Sequence, residues 1–139
     1  MKKVFLFTIS SLVLTFIFES CKKKDTTTTL QKIQAKWAIE SLIDHEYDPS
    51  SSPADTTITY QGVAATDYVD FRADGKVYSF LDGSADTSFY VLSGDTTIIG
   101  DLLGSVKIQT LTDHVLKLYG REDDPSTSSY FEETINLKK

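Results

Sequence analysis

The chain has 139 residues, with 14 basic against 20 acidic side chains and a formal net charge of −6. That length fits one domain, and the acidic balance excludes a general nucleic-acid binder, which needs a basic footprint to neutralise phosphates. The single cysteine, Cys21, excludes an internal disulfide and a cysteine-built zinc site, and two histidines, His45 and His114, leave little for a histidine-based metal or catalytic centre.

Met1-Lys2-Lys3 is a short basic start, and residues 4–18 follow without a charge. A bilayer-spanning helix needs about 20 apolar residues; this run is shorter and suits the apolar part of a secretory signal peptide. Ser20-Cys21-Lys22-Lys23 comes directly after it. The arrangement resembles a bacterial lipoprotein signal of the Bacteroidota type, although Phe18 and Glu19 stand where the pattern has an aliphatic and a small residue. The resemblance implies a cut before Cys21, acyl chains such as palmitate on its sulfur, and a lipid anchor in the cell envelope. The outer membrane or cell surface is expected rather than the inner membrane. A retained anchor, or a signal cut elsewhere, is the competing reading. Residues 1–20 are thus expected as signal peptide and 21–29 as a basic, Thr-rich tether. Its lysines serve either as a solvated spacer or as contacts to anionic headgroups.

Residues 30–36 carry apolar side chains at helical spacing, enough for one or two turns. Short strands separated by turn chemistry follow, the pattern of an all-β domain. Residues 37–43 alternate, placing Trp37, Ile39, Ser41 and Ile43 on one face. Residues 48–55 form a polar loop, and 56–63 and 67–72 are strands. Asp74-Gly75 then predicts a tight hairpin into 76–81. A two-residue turn pairs Phe71 with Tyr78 and Val69 with Phe80 on one face, and a longer loop shifts that register by one. Asp82-Gly83-Ser84 turns into 86–92, with Phe89 and Val91 on one face, and Ser93-Gly94-Asp95 turns into 96–99. Residues 106–111 and 115–119 form a further hairpin, 121–128 a loop, and 129–137 the last strand, with Tyr130, Ile135 and Leu137 inward. Eight or nine strands joined by short turns make an up-and-down meander, which escapes exposed edges by closing into a barrel. The expectation is a small antiparallel barrel of about eight strands over residues 30–139, with a short N-terminal helix.

Several segments carry a family resemblance: residues 30–39, residues 68–78 with Phe71-Arg72-Ala73-Asp74-Gly75, residues 106–118 with Ile108, Leu111, Thr112 and Leu116, and Ile135. In this order they resemble the lipocalin-like domain of Bacteroidota lipoproteins. Ala35 departs from that family's glycine before Lys36-Trp37. The resemblance implies that Trp37 plugs the closed end of the barrel and that a late arginine, Arg121, stacks on it as a cation–π partner.

No catalytic constellation emerges. Asp44-His45-Glu46 and Asp113-His114 lack the further ligands or nucleophile a site needs, and the acidic turns at 82–86 and 122–124 lack the spacing of a calcium loop. The expectation is a non-enzyme without metal or cofactor. Asp-Thr-Thr at Thr26, Thr56 and Thr96 resembles the O-glycosylation acceptor of exported Bacteroidota proteins, or marks turns that enter strands. The inward set read from the alternation is Trp37, Ile39, Ile43, Val69, Phe71, Tyr78, Phe80 and Phe89. All of these except Ile43 are the candidate ligand-binding residues. Such a set either lines a pocket for a small apolar ligand or fills the core. Two functions follow: a membrane-anchored binding module for a small apolar ligand, or an accessory lipoprotein with a filled barrel that contacts another envelope component. Charge divides by segment. Residues 21–36 carry a net +4, whereas 37–139 hold seven basic and 18 acidic residues, a net −11.

Overall fold

The computed structural model describes residues 27–139; Cys21 and Thr26, and with them the expected signal peptide and most of the expected tether, lie outside the described residues. A short helix, α1 (Thr29–Ile33), precedes nine strands: β1 (Lys36–Tyr47), β2 (Asp55–Gln61), β3 (Tyr68–Phe71), β4 (Lys76–Leu81), β5 (Ser84–Ser93), β6 (Thr97–Gly100), β7 (Gly104–Leu111), β8 (Val115–Asp124) and β9 (Ser129–Lys138). All neighbours are antiparallel, and β9 returns to pair with β1, which closes the sheet. The ring has eight members because β2 and β3 pair one after the other along the same edge of β1. The chain is therefore a closed, up-and-down, lipocalin-like β-barrel, as its turn spacing predicts. No helix among the described residues is long and apolar enough to cross a membrane.

The lower half of the barrel is filled. Trp37, Ile39, Val69, Phe71, Val77, Tyr90, Ile98, Val106, Leu116, Leu118, Ile135 and Leu137 converge there, each no more than 4% exposed. Helix α1 caps this end. Thr28 and Gln31 form a reciprocal capping box that satisfies its first amides, and Ile33 seals the core at 0% exposure. Trp37 donates its indole N–H to the Ile33 carbonyl at 2.9 Å. This gives a wholly buried tryptophan the polar partner it requires.

Two local features turn side chains over relative to the alternation read from sequence. The β3–β4 loop is three residues, not two: Arg72 N–H donates to Lys76 O at 2.9 Å, and Gly75 adopts φ +78° while Asp74 does not take a positive φ. A two-residue turn of this kind needs positive φ at both positions; the three-residue loop needs it only at its glycine. Phe71 consequently pairs with Val77, and Val69 with Ser79. Tyr78 and Phe80 therefore face outward, contrary to the expectation, because a one-residue shift exchanges the two faces of a strand. In β5 it is Tyr90 that enters the core, where it meets Phe71 edge-on at 5.2 Å; Phe89 faces out and is 63% exposed.

The second feature is a bulge in β1 between Ile39 and Ser41, where the register with β9 slips. Above it Leu42, Asp44 and Glu46 face inward. Ser41, Ile43, His45 and Tyr47 face outward, and Ser41 accepts a hydrogen bond from Asn136 Nδ2 at 2.9 Å. Ile43 is thus not part of the inward set. In β9, Ile135 and Leu137 are buried as expected, but Tyr130 faces outward and stacks on Tyr47 at 5.3 Å. The loop expected at 121–128 is mostly strand, since β8 continues to Asp124.

β2 and β3 are separated by a knot around Asp67, which is 2% exposed. Its carboxylate accepts from Tyr60 Oη at 2.6 Å, Val63 N at 2.8 Å and Thr66 Oγ1 at 3.2 Å. The Tyr60 hydrogen bond, ahead of the others, holds Asp67 below the usual carboxylate range and pushes Tyr60 up to about 12. A side chain at Gly62 would put its Cβ 2.0 Å from the Ile39 carbonyl oxygen, so the backbone approach there requires glycine.

Candidate functional site

Outside the core, two surfaces of the described residues bear on function: the barrel's open mouth and a strip on its outer wall.

The mouth lies above the core, where β2, β1, β9 and β8 extend as an arm. Cross-strand pairs place Asp44 opposite both Ile58 and Glu133, Glu133 opposite Gly120, and Phe131 opposite Glu122. Burial, and then the charge of Asp44, push Glu133 above the usual carboxylate range. One oxygen of Asp44, Oδ1, is buried without a hydrogen-bond partner. A cleft of about 290 Å³ opens between this arm and the β6–β7 turn, with Leu102, Leu103 and Phe131 as its apolar walls and Asp101, Glu122 and Glu133 as its acids, against one cation, Arg121. The cleft is open, and it sits above the buried residues rather than among them.

The arm's outer face is a closed polar network. Glu132 accepts from Arg121 Nη1 at 2.6 Å and Tyr119 Oη at 2.8 Å. His45 lies 2.5 Å from Asp55 and 3.4 Å from Glu132. The Asp55 hydrogen bond raises the His45 pKa, burial opposes it, and Glu132 adds to the rise. Tyr119 and Arg121 in turn hold Glu132 below its usual range. These groups satisfy one another and stitch β2, β1, β9 and β8 together. Arg121 belongs here, 4.0 Å from the Tyr130 ring, and not on Trp37. The cation over Trp37 is Lys139, at 4.1 Å. His114 is in the β7–β8 turn, where its carbonyl accepts from Lys139 N. Among the described residues no group of three or more His, Cys, Asp or Glu is placed to hold a metal ion.

The wall strip arises from the register shift. Tyr68 stacks on Phe80 at 6.2 Å, Tyr78 lies beside them, and Phe89, Val91 and Ile99 continue the strip across β5 and β6. Phe89, Val91 and Ile99 are 63%, 61% and 44% exposed. Phe89 stands as a ridge between two surface clefts, one of about 340 Å³ reaching Ile99 and Gly104, the other of about 500 Å³ reaching Lys76 and Asp86. Gly100 permits this close pairing, since a Cβ there would lie 2.7 Å from the Phe89 carbonyl oxygen. Three cations flank the aromatics: Lys36 over Tyr68 at 3.6 Å, Arg72 over Tyr78 at 3.9 Å and Lys76 over Phe89 at 5.7 Å.

Of the candidate ligand-binding residues, Trp37, Ile39, Val69 and Phe71 are in the packed core, and Tyr78, Phe80 and Phe89 are on the wall. Thr56 and Thr96 are both exposed, on β2 and in the β5–β6 turn. Comparison with family models, with curated proteins and with solved structures found no match to the chain.

Proposed function

We propose that this protein is a non-enzymatic, lipid-anchored accessory protein of the cell envelope, tethered through Cys21, whose barrel wall docks on another envelope component. The supporting observation is the exchange of faces at β4 and β5. It leaves the lower interior filled and sets Phe89, Val91 and Ile99 on the surface. Contiguous exposed apolar residues of this kind mark interaction sites on soluble domains. The partner's chemistry follows: an apolar groove that receives the Phe89 ridge, with an acidic group near Lys76; Arg72 is already paired with Asp70 at 2.9 Å.

The test replaces Phe89 with a photo-crosslinking residue in the exported protein and reads adduct mass in the native envelope. A discrete adduct that is lost in a Val91→Lys variant supports the reading; absence of any adduct refutes it. Anchoring is tested separately, because a Cys21→Ala variant should leave the membrane fraction.

A second reading, a small ligand, is supported by the mouth cleft between Leu102, Leu103 and Phe131. The acids there select an apolar ligand that also carries a positive charge. Native mass spectrometry of protein taken from its own envelope decides this reading by the presence or absence of a co-purified molecule.

A further inference from the structure

β2 is a bare sheet edge. It pairs on one side with β1 only. The bonds flanking that ladder, Gly62 N to Glu40 O at 3.0 Å and Asp48 N to Ala54 O at 2.8 Å, fix which residues face β1. In an antiparallel pair hydrogen-bonded residues alternate, so Thr56, Ile58 and Tyr60 bond to β1. The backbone groups of Asp55, Thr57, Thr59 and Gln61 point away from it, and among the described residues none of these outward groups has a backbone partner. The strand is seven residues long and contains no lysine and no proline. Lysine and proline are two of the devices that ordinarily keep an edge from recruiting another strand, and the single charge of β2, Asp55, is at its end.

We infer that this edge pairs with β2 of a second copy, antiparallel and about a two-fold axis at Ile58. The register follows from the strand itself. Centring on Ile58 uses all four outward residues, matching Asp55 to Gln61 of the copy and Thr57 to Thr59 of the copy. Centring one residue away leaves an end unmatched. In this register the only charged side chain of β2, Asp55, meets an amide rather than a second carboxylate. Ile58 faces Ile58 of the copy directly, in the close, non-hydrogen-bonded type of pair. That contact covers a side chain otherwise 63% exposed on a strand whose other residues are polar or aromatic. The two arms become one eight-stranded sheet. Because each arm carries Asp44, Glu46 and Glu133 behind the seam, the copies repel at long range, and added salt strengthens the pairing. This inference rests on the β2 edge alone and stands apart from the wall strip.

The experiment oxidises the full-length chain carrying Ile58→Cys and, in parallel, Thr57→Cys. Ile58→Cys should give a reducible species at twice the monomer mass, more at high salt. Thr57→Cys should give no more than the parent chain with Cys21 alone. Adding Thr59→Pro, which removes an outward N–H while leaving the β1 ladder intact, should abolish the Ile58 cross-link with an unchanged far-UV spectrum. Sedimentation of the unaltered chain should show a concentration-dependent dimer. Equal cross-linking at both positions, cross-linking only to a different protein, or a monomer at every concentration would overturn the inference.

Discussion

The ammonium of Lys139 lies 4.1 Å from the ring of Trp37 and also donates to the Lys32 carbonyl at 3.4 Å, so the last strand, the first strand and α1 are joined at the closed end of the barrel. Trp37 is wholly buried and anchored to Ile33. Trp37→Ala should cost about 3–5 kcal/mol in chemical denaturation, the range for emptying a large aromatic site. Lys139→Ala should cost only about 0.5–1 kcal/mol, the worth of an exposed cation–π contact. Arg121→Ala should leave the indole's fluorescence unchanged, since Arg121 packs on Tyr130 on the arm at the open end, away from Trp37.

The register of the β3–β4 hairpin can be read from stability alone. With Phe89 on the surface, Phe89→Ser should shift stability by no more than about 0.5 kcal/mol, whereas Phe71→Ala, in the core, should cost about 3–5 kcal/mol. Comparable losses at both positions would mean that Phe89 faces inward.

Gly62 and Asp67 fix the break between β2 and β3. Gly62→Ala meets the Ile39 carbonyl and should fall at the upper end of the about 1–3 kcal/mol typical of overpacking. Asp67→Asn keeps the shape but loses the charge that Tyr60 and Val63 donate to, and it should lower the melting midpoint. Because Asp67 is held below its ordinary value, its contribution is present above the unfolded carboxylate range and is lost as pH falls through the folded value. The gap between wild type and Asp67→Asn should therefore close in acid.

His45 behaves in the opposite sense. Its folded value is raised by Asp55, so its contribution is complete below 6.5, its ordinary value, and fades as pH rises through the folded value. Hydrogen-exchange protection of the β1–β2 amides, corrected for intrinsic rate, should decline over that window. His45→Gln should show no such decline.

Glu133 carries a cost at neutral pH, because burial and Asp44 oppose its ionisation. Stability should fall as pH rises from the ordinary glutamate range through its folded value. Glu133→Gln should raise the melting midpoint at pH 7 and leave it unchanged in acid, as thermal denaturation at the two pH values will show.

Much of the architecture was legible in the chain. Asp82-Gly83-Ser84 marked a turn, and Asp82 and Gly83 both adopt positive φ there. Even hairpin spacing implied closure, whereas the place of Trp37 at the closed end came only as what the family resemblance implies. The faces were not legible where one residue decides them. Ala73-Asp74-Gly75 suits both a two- and a three-residue loop, and Val77-Tyr78 is apolar at both parities, so hydrophobicity could not choose between them. The bulge at 39–41 leaves no mark in composition. Arg72 and Lys76 on either side of the loop were the available signal, since cations beside Tyr78 and Phe89 favour an outward aromatic face. The residues first read as a ligand-lining set are, for this reason, divided between a packed core and an exposed wall.

The most direct test of that division, and of the docking role built on it, is photo-crosslinking from position 89 in the native envelope, with Lys117, on the β8 wall, as the control position. The account predicts one discrete adduct from position 89, lost on Val91→Lys with the fold retained, and none from position 117. No adduct from position 89, or equal adducts from both walls, would contradict it.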